Sequence, residues 1–322
     1  MNMISHRLVS NQPIKFSFLI TSKIEGILNI GKGQNMINID ENETVPREEK
    51  EVVYEEENPI LYEVVDKVAY ITLNRPTYHN SQNSQMLYAL DDAFYKAVGD
   101  DGAKVIVLKG NGKHFSAGHD IGTPGRDFTS GREDRRTMIY NHDNKPGAEK
   151  AFIREYEVYL GFCNRWRDIP KPTIAQVHGG CIAGGLMLAW VCDLIIASDT
   201  AFFQDPVVQM GFPGVEYFAH PYELNVRMAK EFLLLGERWS ADRALSAGMI
   251  NRVVPVDELE SNVTETALKI ASQPRLAALL VKQACNHVEN LQNKKNAMDG
   301  IYAMHHFAHA QNSIVTGLYR RF

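Results

Sequence analysis

Gly179-Gly-Cys-Ile-Ala-Gly-Gly-Leu-Met-Leu-Ala-Trp-Val-Cys-Asp193 places four glycines within seven residues and then turns almost wholly apolar. The preceding residues 174–177 read as a short buried strand, and residues 184–192 as an apolar helix. The junction is therefore a strand, a turn stripped of side chains, and the start of a helix. Bare backbone N–H groups at such a turn, backed by a helix N-terminus, are suited to hold negative charge as it develops.

A second junction has the same character. His114-Phe-Ser-Ala-Gly-His-Asp-Ile-Gly122 follows the β-branched, apolar run 104–109. Two familiar glycine motifs are excluded. Dinucleotide binding needs G-x-G-x-x-G, whereas three residues separate the pair Gly179 and Gly180 from the pair Gly184 and Gly185. Gly110-Asn-Gly-Lys113 lacks the spacing of a phosphate-binding loop and the Ser or Thr after the lysine.

Working outward, residues 61–73 read as two strands, and residues 83–98 carry Met86, Leu87, Leu90, Phe94 and Ala97 at helical spacing. Residues 194–197 read as another strand. Strands alternating with helices predict an α/β core. From residue 229 onward the pattern becomes helical, with apolar stripes over 240–246 and 257–271 and a further helix opened by Pro274 and running through Leu291. The chain thus divides into a leader over residues 1–58, an α/β core over 59–256 and a helical portion over 257–322.

Charge and composition narrow the function. The 322 residues carry Lys+Arg 34 against Asp+Glu 39, a net charge of −5, with 44% hydrophobic and 23% charged residues. That balance offers no basic surface for nucleic acid or an anionic membrane. Residues 40–58 hold nine acidic and two basic side chains, a local −7 that leaves the rest near +2. This leader is expected to be disordered, and Met36 offers a second possible start. Its apolar run, residues 16–20, is too short for a signal segment or a membrane span. Cys163, Cys181, Cys192 and Cys285 show no CxxC pair and read as buried free thiols in a reducing, cytoplasmic setting.

Four motifs in order carry a resemblance: Leu73-Asn-Arg-Pro76 followed by Asn80; Phe115-Ser-Ala-Gly-His-Asp120; residues 179–193; and Gly236-Glu-Arg-Trp-Ser-Ala-Asp-Arg-Ala-Leu-Ser-Ala-Gly-Met-Ile-Asn-Arg-Val-Val-Pro255. From about Leu61 to its end the chain resembles the crotonase superfamily, the enoyl-CoA hydratases and isomerases. The resemblance implies a spiral of ββα units, an acyl-CoA thioester as substrate with coenzyme A arriving as part of it, and no separate cofactor. It also implies an oxyanion hole made by the backbone amides of His119 and Gly184. Around the substrate it places Arg75, Ala117, Asp120, Ile121, Gly185, Met187, Val207 and Tyr217. The C-terminal helices are expected to build a homotrimer or a pair of trimers.

The sequence departs from the family where acid and base should stand. Hydratases of this kind use two glutamates, and the matching positions here are Met187 and Val207, which cannot move a proton. Replacement carriers must come from nearby, and the candidates are Asp205, Glu216, His119, Tyr217 and His220. A carboxylate in an apolar pocket can exchange protons near neutrality. Glu216 is the first choice, because it follows a glycine turn that in the family borders the acyl pocket, and Asp205 is the second.

Each candidate has a plainer reading. Asp120 can cap backbone amides. Asp193 can close its helix through hydrogen bonds, Asp205 can brace its loop beside Pro206, and Glu216 can form a loop ion pair. His119 can line the pocket, and His178 can pack at its junction. Ser116 with His119 is no nucleophile pair, for no G-x-S-x-G elbow is present. Arg126, Arg132, Arg135 and Arg136 can meet CoA phosphates or form a solvated loop. The loop over 122–148, with Phe128 and Tyr140, is expected to shape specificity. His305 and His309 stand at i and i+4 beside His306, yet without the glutamate of H-E-x-x-H or a third ligand, so no metal is expected. The reading is an acyl-CoA enzyme, nominally an enoyl-CoA hydratase-like lyase. Isomerase, decarboxylase and carbon–carbon hydrolase chemistry stay open through the shared enolate, and a catalytically silent acyl-CoA binder is the rival class.

Overall fold

Regular structure begins where the acidic stretch ends. In a computed structural model, which describes residues 58–122 and 145–316, strands β1 (Ile60–Val65) and β2 (Val68–Leu73) form an antiparallel hairpin. Its two loop residues, Asp66 and Lys67, both take positive φ, 48° and 70°, the twist a two-residue hairpin requires. The leader expected to be disordered lies, save Asn58, outside the described residues.

Next comes α1 (Ser84–Gly99), whose first turn is capped by the Asn83 side chain accepting from the Met86 N–H at 2.8 Å. It is followed by β3 (Val105–Gly110), then α2 (Gly147–Glu155), which passes through a π turn (Tyr156–Gly161) into α3 (Phe162–Arg167). β4 (Thr173–Val177), β5 (Gly180–Ile182) and α4 (Gly184–Trp190) carry the quoted stretch. β6 (Leu194–Ser198), β7 (Phe202–Gln204), α5 (His220–Glu223), α6 (Val226–Leu235), β8 (Trp239–Ser240), α7 (Ala241–Ser246) and β9 (Arg252–Val254) complete the alternation. Three helices end the described chain: α8 (Leu259–Ala271), α9 (Arg275–Leu291) and α10 (Lys294–Thr316).

Two sheets result. The larger runs β1-β2-β3-β4-β6-β9 and is parallel except for β1, and the smaller runs β5-β7-β8. β4 and β5, β6 and β7, and β8 and β9 each give one strand to each sheet, so the chain winds as a spiral. β2 and β4 are buried along their whole length, as central parallel strands with both faces covered should be.

Alternation along these strands feeds two separate cores. Val68, Tyr70, Val105, Val107, Ile174 and Ile196 face Leu259, Val263, Ala267 and Ala271 of α8. Ala69, Ile71, Leu73, Ile106, Leu108 and Val177 join the larger core with α1, α3 and α4. The helical portion read from residue 257 is thus not set apart, since α8 is one wall of the sheet. The cysteines also divide: Cys163 and Cys181 are buried and Cys192 is half-buried, but Cys285 is exposed on α9, against the expectation of four buried thiols.

Candidate active site

The two glycine junctions lie against each other. Ser116 pairs with Cys181 in parallel, the Ser116 N–H donating to Gly180 O at 3.1 Å and the Ile182 N–H to Ser116 O at 3.0 Å. Glycine is required for this approach. At Gly118, where φ is +91°, a Cβ would stand 2.8 Å from Ile182 O and 3.0 Å from Gly184 N, and at Gly185 it would meet Ser116 O at 2.5 Å.

Backbone geometry then aims two N–H groups. Gln82 donates its N–H to Gly118 O and accepts from the Asp120 N–H, which leaves the N–H of His119, the residue between, on the strand's other side. Gly184 is the first residue of α4, so its N–H has no carbonyl one turn earlier to bond. Ala183 holds it there at φ 48°, ψ −115°, a conformation non-glycine residues rarely take. The His119 ring lies over the same spot, for a Cβ on Gly184 would come within 2.7 Å of its Nε2.

A polar frame fixes the first junction. Asn80 donates its side-chain amide to Asn111 O, His114 O and Phe115 O at 2.9, 2.9 and 3.1 Å. Arg75, expected near the substrate, is turned inward instead, with none of its side chain exposed. Its guanidinium pairs with Asp120 at 3.1 Å and donates to Ser81 O, because Asp120 is the buried charge it must neutralise. Asp120 also accepts from the Gly122 N–H at 3.3 Å, the capping role open to it. Ala117 is half-buried and Ile121 is 52% exposed beside this frame. Met187 is buried in α4, while Val207 opens a 3-10 turn, Val207–Met210, and is half-buried. His178 bonds Gly112 O at 2.8 Å, and Asp193 holds Thr173 and Lys282, so both have structural partners.

The candidate proton carriers separate clearly. Asp205 is fully buried, receives the His220 Nε2–H at 2.8 Å and accepts from the Val207 N–H at 3.3 Å. Tyr217 is also enclosed, and burial pushes its phenol well above its ordinary range. Glu216, 4% exposed, stands at the junction: one oxygen is 3.6 Å from His119 Nε2 and the other 3.4 Å from His305 Nε2. Burial alone would raise its pKa, but the two imidazoles outweigh that and hold the carboxyl well below its usual range. His119 stacks on Tyr159, with centroids 3.8 Å apart and planes at 18°.

Sequence reading missed what lies beyond Glu216. His305 donates from Nδ1 to Gly214 O at 2.9 Å, and its Nε2 is 3.1 Å from His309 Nε2. Glu155, buried at the end of α2, sits 3.2 Å from His306 and 3.4 Å from His309. The histidine cluster, read as lacking a third ligand, therefore has a carboxylate brought to it from α2. Burial would raise the Glu155 pKa, yet the His306 and His309 contacts bring it down far below its ordinary value. In the sequence Arg154 and Glu155 do not stand out beside Glu149 and Lys150, so nothing there marked the carboxylate as buried. The π turn that follows shifts the stripe by a residue and hides the helical period. Arg126, Arg132, Arg135, Arg136, Phe128 and Tyr140 lie outside the described residues. Two clefts of about 500 and 560 Å³, one along α1 and α3 and one along α9, are lined by none of His119, Gly184 and Glu216.

Comparison with known proteins gives the arrangement its context. A family model described as enoyl-CoA hydratase/isomerase matches residues 63–321. The chain is 41% identical over 250 residues to EchA13 of Mycobacterium tuberculosis, named as a candidate enoyl-CoA hydratase, covering 77% of this chain and 79% of that one. It is 31% identical over 214 residues to 4-chlorobenzoyl coenzyme A dehalogenase-2 of an Arthrobacter species, covering 66% and 72%. Among solved structures, a candidate enoyl-CoA hydratase from Mycobacterium smegmatis superposes with a TM-score of 0.73 at 41% identity, covering 82% of this chain and 98% of the other.

Proposed function

Because the chain belongs to the enoyl-CoA hydratase/isomerase family, we propose that it processes an acyl-CoA thioester through an enolate held between the His119 and Gly184 amides, with Glu216 exchanging the proton. The observation that carries this reading is the close approach of the two glycine junctions, with Glu216 as the carboxylate set against the His119 ring over Gly184. An enolate or tetrahedral oxyanion gains most from donors fixed before the charge appears, and two main-chain amides on a hydrogen-bonded frame are fixed in that sense. Since the donors are backbone atoms, Met187 and Val207 leave this part of the chemistry intact. Coenzyme A enters as part of the substrate.

In the hydratase direction, Glu216 takes a proton from water as its oxygen adds to the β-carbon, and the protonated carboxyl then returns a proton to the α-carbon of the enolate, so one carrier completes the addition. Asp205 is the weaker candidate, since its carboxylate is engaged by His220 and the Val207 amide. A second reading is favoured by the missing glutamate pair: with Glu216 the one carboxylate among the described residues set against the two junctions, a reaction needing a single proton carrier, such as isomerisation, decarboxylation or chain cleavage, fits as well. Oligomerisation through the C-terminal helices is part of the proposal, supported by Leu276, Leu280, Val281 and Leu291 of α9 and Phe307 and Ile314 of α10, all more than half exposed on the single chain. A sedimentation run showing monomer alone would remove it. A cytoplasmic setting fits the four free thiols, and no described helix is long and apolar enough to cross a membrane.

The test is a panel of unsaturated, branched and β-keto acyl-CoAs with products resolved by mass, so that gain of water, loss of carbon dioxide and chain cleavage are told apart. Turnover of at least one member is expected, and Gly184→Pro, which deletes one donor and also sets a proline ring against the His119 side chain, should lower it by at least roughly 10²-fold while the fold persists by circular dichroism. Retained CoA-ester binding with no turnover of any member would instead identify a silent binder.

A further inference from the structure

We propose that Glu155, His305 and His309 form a mononuclear site for a divalent transition metal of the zinc class. The inference goes beyond the reading above, and metal uptake does not depend on whether Glu216 carries a proton.

Geometry is the first ground. One ligand atom from each of the three side chains lies within 4.8 Å of the other two, and all three residues are buried. The His305 and His309 Nε2 atoms are 3.1 Å apart, and Glu155 Oε2 is 3.4 Å from His309 Nε2. Zinc binds imidazole nitrogen and carboxylate oxygen at about 2.0 to 2.2 Å, so neighbouring ligand atoms of a tetrahedral site stand roughly 3.3 Å apart. These two separations match that edge, and the third pair lies within 4.8 Å.

Orientation is the second. His305 commits its Nδ1–H to the Gly214 carbonyl at 2.9 Å, which turns Nε2 toward His309 Nε2, with Glu216 at 3.4 Å beside it. His309 Nε2 in turn faces Glu155, whose outer contact is His306 at 3.2 Å. The Gly214 contact is moreover the outer-shell hydrogen bond that fixes the tautomer and aim of a metal-bound histidine.

The fold is the third. His305 and His309 sit one turn apart on α10, which places both rings on one face, and Glu155 comes from the end of α2. Two histidines and one carboxylate with a fourth position left over is a zinc ligand set open to water. Softer thiolate metals are disfavoured by the absence of a cysteine from this triad, and magnesium or calcium by its two imidazoles.

The experiment uses the full chain stripped with chelator and titrated with zinc by calorimetry, with cobalt as a spectroscopic replacement. One equivalent of zinc per chain and the visible absorption of tetrahedral cobalt are expected. His305→Ala combined with His309→Ala should abolish uptake, and His287→Ala, an exposed histidine elsewhere, should leave it unchanged. Should the double variant fail to fold, Glu155→Gln, nearly isosteric, is expected to weaken binding at least about tenfold with an unaltered circular dichroism spectrum. Wild-type protein that takes up less than one equivalent, or that binds equally well without these side chains, overturns the site.

Discussion

Two carboxylate–imidazole pairs in this chain end up as opposites. Asp205 and His220 meet at 2.8 Å with neither side chain exposed, and the His220 ring is packed among Trp190, Phe218 and Phe232. Glu216 and His119 stand 3.6 Å apart, with 18% of the histidine side chain open, and the second oxygen of Glu216 meets another imidazole. The chemical groups are the same, so packing alone separates them. A closed pair with a short hydrogen bond locks one arrangement. A looser pair at a rim keeps a donor and an acceptor within reach of a third molecule, and catalytic contacts often stay long until substrate arrives.

Removing each carboxylate tests that contrast. Glu216→Gln keeps the size of the side chain and should cut turnover by roughly 10²- to 10⁴-fold, with a loss of stability limited to its two imidazole contacts. Retained turnover in that variant would move the proton step elsewhere. Asp205→Ala should do the reverse: loss of about 3 to 5 kcal/mol of stability from a stranded buried partner, measured by denaturant titration, with turnover per folded molecule close to wild type. If it lost activity and kept its stability, the two pairs would have to exchange roles.

Smaller effects sharpen the picture. His119→Phe preserves the stacking on Tyr159 and the backbone donor but removes the imidazole, and initial rates are expected to stay within about tenfold of wild type. A drop as deep as that of Glu216→Gln would make the imidazole itself the proton carrier. Ala183→Gly relieves an unfavourable backbone conformation, so a gain of up to ~1 kcal/mol is expected in thermal unfolding, against which glycine's greater unfolded-state freedom works. A clear loss would mean that the alanine methyl contributes packing that outweighs its strain.

The same contrast explains what could be read in advance. The glycine junctions were legible because a close backbone approach leaves a mark in composition: Gly118, Gly184 and Gly185 are each where a Cβ would collide. Strands β2, β3, β4 and β6 of the large sheet were legible as apolar runs, whereas β8 and β9 fall where the pattern was read as helical from residue 229 onward, because two or three residues are too few to show a period. Glu216 was reachable through its place after the Gly214 turn. Its companions were not, since Glu155 precedes a π turn that breaks the helical period, and His305 and His309 reach it from the far end of the chain. Arg75, which the resemblance places around the substrate, is buried against Asp120, a partner that no local pattern around residue 75 announces. Periodicity reports what an element buries, and it is silent on which distant element supplies the partner.

The bond from His305 to the Gly214 carbonyl also ties together segments made far apart in time. A ribosome makes both glycine junctions and the Glu216 loop before it makes α10, so a nascent chain holds the two junctions before the helix that braces that loop exists. Under the proposed function, a chain cut before α10 would keep the two backbone amides and leave the Glu216 loop without its brace.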